Sequence, residues 1–225
     1  RMSRGLGDVY KRQNTNSLWQ TVGGQGVAIA MVDATDVKNV EAAITPATRI
    51  VFVETIANPR TQVADLARIG KLCAERGIVY IVDNTMTSPY LFQPKSVGAS
   101  IVINALTKSI GGHGNALGGS LTDTGLYDWS RFPNIFDTYK RNPTAQWGIS
   151  QIRANALRDF GGSLGPEAAH HLAVGSETMA LRLDRECANA LAVAQMLEAD
   201  DRVAAVYYPG LKSHPQHAIS TELFR

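Results

Sequence analysis

Short apolar runs ending in an acid or an amide recur along this chain, separated by amphipathic helical patterns. The runs "VAIAMVD" (27–33), "RIVFVE" (49–54), "IVYIVD" (78–83) and "SIVIN" (100–104) are apolar on both faces, as strands buried in a parallel sheet are. After the first, "TDVKNVEAAI" has Thr35 at the expected N-cap and Val37, Val40 and Ile44 on one face. After the second, "QVADLARIGKLCAERG" sets Val63, Leu66, Ile69 and Cys73 at helical spacing and ends at Gly77, a natural C-cap. A Pro-bearing connection, "TSPYLFQPKSVGA", separates the last two runs. The alternation predicts an α/β domain whose mostly parallel central sheet is covered on both sides.

Beyond residue 123 helical patterns dominate from about 145 to 200, the clearest built on Leu183, Cys187, Leu191, Ala194 and Leu197. The run "RVAAVYYPG" (202–210) then predicts a strand that opens a second layer. Residues 14–170 therefore read as a partial large domain, and 171–225 as a connecting helix and the start of a smaller α+β domain. Residues 1–13, "RMSRGLGDVYKRQ", show neither period and read as a non-native tail outside the fold.

With 44% hydrophobic residues among 225, the chain can bury a core. Its net charge is only +2, and the excess gathers in the tail, where Arg1, Arg4, Lys11 and Arg12 face Asp8. That is no nucleic-acid footprint. No run approaches the roughly 18 apolar residues of a membrane span, so no membrane partner is expected. Cys73 and Cys187 fall inside helical patterns and read as buried thiols in a reducing compartment, taken as the cytoplasm. His170 with His171, and His214 with His217, lack a third ligand of suitable spacing, so no metal site is expected.

Ligands of open α/β sheets sit outside the carboxyl ends of the strands. Three polar signals fall there: "ETIANP" after 49–53, "DNT" after 78–82 and "NALTK" after 100–103. Each has an ordinary explanation alone, since Asp83 can begin a turn, Asn58 precedes Pro59, and Thr107 can cap a helix. Together they suggest one crevice holding an acid, an amide, a hydroxyl and an amine. That set suits an aldehyde cofactor with a basic ring nitrogen: Lys108 joins pyridoxal phosphate as a Schiff base, and Asp83 keeps the ring protonated. Thr107 faces the phosphate and Asn58 the phenolic oxygen.

The stretches "VFVETIANP", "IVYIVDNTMTSPYL", "LTKSIGGHGNALGG" and "VAAVYYPGLKSHPQH" resemble the Cys/Met-metabolism family of pyridoxal-phosphate enzymes. That family includes cystathionine γ-synthase, cystathionine γ-lyase, methionine γ-lyase and O-acetylhomoserine sulfhydrylase. The resemblance, from about residue 32 to 225, implies a fold-type-I, aspartate-aminotransferase-like architecture. It implies Lys108 as the cofactor lysine in a buried setting, with Asp83, Asn58 and Thr107 as the other cofactor-binding residues. It further implies a transsulfuration enzyme, cystathionine γ-synthase-like, that performs γ-replacement or γ-elimination on a small-molecule amino acid. Methionine γ-lyase or O-acetylhomoserine sulfhydrylase activity is the alternative within the family. A homo-oligomer, a dimer of dimers when full length, is implied as well.

Departures from the family pattern are Ala105 where a serine is usual, Leu106 where a small residue is common, and Ser109 where an aromatic is usual. The phosphate cradle, the ring-stacking tyrosine and the carboxylate-binding arginine have no counterparts here, so the chain is expected to be an internal fragment that is itself inactive. Two other classes stand beside this reading. A nucleotide-type phosphate loop needs its lysine after the glycines, whereas Lys108 precedes "GGHGNALGG". A non-catalytic remnant acting only as a binding or scaffold protein rests on Ala105 and the missing parts.

Overall fold

The computed structural model describes residues 4–8 and 13–225, with side chains from residue 17. Six strands form one sheet in the order β2-β1-β3-β4-β5-β6: β1 (Arg4–Asp8), β2 (Ala28–Val32), β3 (Thr48–Glu54), β4 (Val79–Asp83), β5 (Ile101–Ala105) and β6 (Gly119–Asp123). The first five run parallel, and β6 lies antiparallel on β5. Helices α1 (Gln13–Gly24), α2 (Val37–Ala43) and α3 (Leu66–Arg76) connect the early strands. Short turns, including α4 (Ser88–Leu91), lead from β4 to β5. Beyond β6 come α5 (Trp147–Gln151), continued as a π-helical stretch, then α6 (Pro166–Ser176), α7 (Met179–Glu198) and α8 (His217–Leu223).

Alternation along the strands divides the core into two layers. Val51, Val53, Tyr80, Val82 and Val102 face α2 and α3, where they meet Val40, Leu66, Ile69, Leu72 and Cys73. Val79 and Ile101, with Ile81 and Ile103 beside them, face Tyr127, Trp129 and Ile135. Trp129 belongs to this core: it is buried and its Nε1–H donates to Asp123 at 2.9 Å.

Several expectations change at this level. Residues 4–8, set aside with the rest of 1–13, form an interior strand paired with both β2 and β3. A backbone held from two sides needs no side-chain period, and Gly5 and Gly7 offer none. Asp36, not Thr35, caps α2: its carboxylate accepts from Lys38 N–H, while the Thr35 hydroxyl donates to Asp33. The strand expected at 202–210 does not form; this segment has no partner strand and runs as turns and coil. The α3 ending agrees with the reading, since Gly77 adopts the left-handed conformation at φ 66° and its N–H donates back to Ala74.

Candidate active site

Register brings the carboxyl ends of three strands level, with Glu54 opposite Asp83 and Asp83 opposite Ile103. The ladder extends one step past each end, as Thr55 N–H donates to Asp83 O at 3.0 Å and Asn84 N–H to Ile103 O at 2.8 Å. Beneath this rim lies a fully buried network. Thr55 and Thr87 hydroxyls meet at 3.0 Å, Thr87 donates to Asn84 Oδ1 at 2.6 Å, and Asn84 Nδ2 donates to Phe92 O at 3.0 Å. Burying these groups is tolerable because each is satisfied, and the result fixes where β3 and β4 end.

On that platform a run of hydrogen bonds leads from the acid to the main chain of the lysine. Asp83 Oδ1 accepts from Thr85 N–H at 2.9 Å, and Thr85 Oγ1 accepts from Ala105 N–H at 2.8 Å. Lys108 N–H in turn donates to Ala105 O at 3.2 Å. Thr85 and Ala105 thus link the acid of β4 to the backbone of the lysine beyond β5. Thr85 closes the "DNT" signal, where sequence alone gives it no role. A hydroxyl two residues past the end of a strand was the available sign of its bridging position.

The Lys108 side chain is exposed, where the resemblance implied burial, because a cavity of about 680 Å³ opens beside it. That volume is in the range of small-molecule sites. Thr85, Met86 and Thr87 line the cavity on the sheet side, and Leu183 and Cys187 of α7, with Tyr208, line the other. Lys108 Nζ has no hydrogen-bond or ion-pair partner among the described residues. Burial first, and then the carboxylates of Glu186 and Asp184, push the Cys187 thiol up from its ordinary value. Sequence reasoning missed this wall, as nothing local announces that a helix some 80 residues on faces the lysine.

Two other expected residues are placed differently. Asn58 is half-buried in the β3–α3 connection and, like Asp83 and Thr107, is not among the residues lining the cavity. Thr107 accepts from Gly118 N–H at 3.0 Å and donates its own O–H to Gly118 O at 3.2 Å. As placed it ties the loop shut, and meeting a phosphate requires exchanging that donor bond. His113, beside the lysine in sequence, lies with its Nδ1 2.6 Å from Gly111 O.

An unpaired primary amine on a cavity of this size, with a carboxylate on the adjacent strand end that keeps one oxygen unengaged, fits an aldehyde cofactor with a cationic ring. Comparison with known proteins decides the family. The model of the Cys/Met metabolism PLP-dependent enzymes matches residues 7–225. The chain belongs to that family. It is 35% identical over 221 residues to the O-acetyl-L-homoserine sulfhydrylase of Leptospira meyeri, covering 90% of this chain and 50% of the relative. It is also 35% identical over 202 residues to the L-methionine gamma-lyase of Pseudomonas putida, covering 89% and 46%. A solved O-acetylhomoserine sulfhydrylase of Wolinella succinogenes superposes with a TM-score of 0.91 at 35% identity, over 99% of this chain and 64% of that one. A putative O-acetylhomoserine (thiol)-lyase from Campylobacter jejuni, solved with a pyridoxyl-lysine monophosphate, gives 0.90 at 28% identity, over 99% and 58%. The chain spans about half the length of the curated relatives it matches. The α/β fold is thus that of pyridoxal-phosphate-dependent sulfhydrylases, and pyridoxal phosphate is the family's cofactor.

Proposed function

We propose that this chain carries the lysine-bearing core of an enzyme that performs γ-replacement or γ-elimination on a homoserine-derived or sulfur-containing amino acid. The observation that carries the reading is the succession Lys108, Ala105, Thr85 and Asp83, with the amine unpaired on the cavity. Pyridoxal phosphate, when bound, supplies an aldehyde for an amine and a ring that withdraws electrons from a carbanion.

The chain's own residues do the rest. Lys108 supplies the amine that would hold the aldehyde and, as a free base, removes the proton from the substrate α-carbon, gives it up, and then removes a proton from the β-carbon. Asp83, oriented by Thr85 N–H, keeps an oxygen for a protonated ring nitrogen. Thr107 and Asn58 are assigned to the phosphate and the phenolic oxygen. The γ-substituent then departs; a thiol takes its place, or water completes elimination to a 2-oxo acid and ammonia. The wall of Leu183, Cys187 and Tyr208 excludes water from one side.

A homo-oligomer in the cytoplasm belongs to the same reading. Leu117, Phe160 and Leu181 are large apolar side chains left exposed, and both cysteines are free thiols. No helix among the described residues is long and apolar enough to cross a membrane.

Adding pyridoxal phosphate to the full chain, reducing with borohydride and mapping the labelled peptide tests the assignment. The label is expected on Lys108 with a visible absorbance band before reduction. Labelling scattered over the surface lysines, with no band, would reject it.

A further inference from the structure

The carbonyls of the two residues after Lys108 converge on one guanidinium. Arg182 Nη1 donates to Ser109 O at 2.8 Å, and Nη2 donates to Ile110 O at 3.2 Å and to Gly175 O at 2.8 Å. Its Nε donates to Thr178 Oγ1 at 3.1 Å, which fixes the plane of the fork. Glycine makes room for this. Gly112 has φ +70°, and a Cβ there would fall 2.1 Å from Arg182 Nη1. Helix α6 presses equally close, since a Cβ on Gly175 would fall 2.0 Å from Gly111 O. The lysine segment is itself closed by Gly111 N–H to Leu106 O at 2.8 Å and Gly112 N–H to Lys108 O at 2.7 Å.

Helix α7 therefore reaches the site twice. Arg182 holds the lysine loop, and Leu183, Glu186, Cys187 and Ala190, which follow it on α7, line the cavity that Lys108 enters. We propose that Arg182 is a positioning residue: it binds the main chain of 109–110 so that the Lys108 amine emerges against the wall its own helix provides. The proposal rests on the reading of Lys108 as the cofactor lysine. Planarity is the essential property, because three carbonyls in fixed directions need a rigid fork. Lysine would keep the charge and lose the fork.

The test uses the full chain, wild type beside Arg182→Gln and Arg182→Lys. Amide hydrogen exchange at Gly111 and Gly112 reads the clamp. Pyridoxal phosphate labelling trapped by borohydride, taken as the ratio of Lys108 to the exposed Lys71 of α3, reads the placement of the amine. Both variants are expected to exchange about tenfold faster at these two amides, with β3–β5 protection kept. The labelling ratio should fall by a similar factor. A ratio equal to wild type in both variants, whatever their melting temperatures, leaves Arg182 a merely structural residue and overturns the proposal. Full recovery by lysine overturns the role of the fork. If the glutamine variant does not fold, the lysine variant carries both readouts. A wild-type chain in which Lys108 labels no faster than Lys71 overturns the proposal at its premise, and the exchange data show separately whether the clamp exists.

Discussion

The two rims of the sheet both hold cations beside a cavity, and they use them differently. At the amino rim, Arg49, Arg76 and Arg131 line a pocket of about 440 Å³. Arg49 Nη1 donates to Pro46 O and Thr48 O, Arg76 pairs with Glu41 at 3.2 Å, and Arg131 lies over Gly77 with Nη1 toward Ala74 O. Arg131 serves the end of α3, where exposed carbonyls and the helix dipole favour positive charge, while Arg49 holds the turn before β3 and Arg76 ties α3 to α2. At the carboxyl rim Lys108 enters the cavity from beyond a strand end, and its ammonium is left without a partner among the described residues. An amine not engaged in holding structure is free for chemistry, and its loop is held by another residue's charge.

The largest expected effect breaks the comparison directly. Lys108→Ala should abolish the borohydride-stable adduct and its visible band in the full chain, whereas Arg131→Gln should leave both intact. Loss of the band in the arginine variant would mean that the amino rim takes part. Next in size is Gly175→Ala. The added methyl meets the backbone oxygen of Gly111, so α6 must move off the lysine loop at a cost of about 1–3 kcal/mol, with reduced labelling of Lys108. Gly77→Ala is the counterpart at the other rim. There the methyl meets the movable end of Arg131, and left-handed strain of about 1–2 kcal/mol should appear in the melting temperature without a change in labelling. Calorimetry and peptide mapping on the pair distinguish the rims.

How much of this was legible follows from which forces leave a mark in local sequence. Strands β2 to β5 and the end of α3 were readable because their side chains are sorted by burial, and Tyr80 and Val82 enter one layer while Val79 enters the other. β1 was not, since a Gly-containing strand held by backbone bonds on both sides has no side-chain period to show. β6 escaped notice because Gly119, Leu121 and Thr122 are exposed on an outer strand. The opposite error at 202–210 arose because Val203 and Val206 carry strand propensity that no neighbour uses. In the site, Asp83 and Lys108 were readable because their chemistry is uncommon at strand ends. The bridging Thr85 and the clamp from Arg182 depend on contacts 20 and more than 70 residues apart, which no window contains.

A smaller effect sharpens the account of the carboxyl rim. Ala105 stands where the family usually has serine, and its N–H is already held by Thr85. Ala105→Ser should add a hydroxyl beside the bridge and tighten retention of pyridoxal phosphate about tenfold, the size of one hydrogen bond to a charged group. Equilibrium dialysis measures it. Unchanged or weaker retention would show that position 105 does not face the phosphate.

The last contrast sets one cysteine against the other, with Cys73 in α3 on the arm of the fold that ends at the amino rim and Cys187 on the cavity wall. Burial pushes the Cys73 thiol up from 9.0 to about 12, so the unfolded chain releases this proton first. The stabilisation is complete below pH 9 and is lost as pH rises through about 12. Between pH 9 and 10 the loss is about 1 kcal/mol. Urea unfolding of wild type against Cys73→Ala should show the gap between them narrowing by that amount over this interval. A gap independent of pH would mean that the native thiol ionises as readily as the unfolded one. Cys187, half-buried at the cavity, should react with a thiol reagent in the native chain and accelerate as pH rises, while Cys73 reacts only on unfolding.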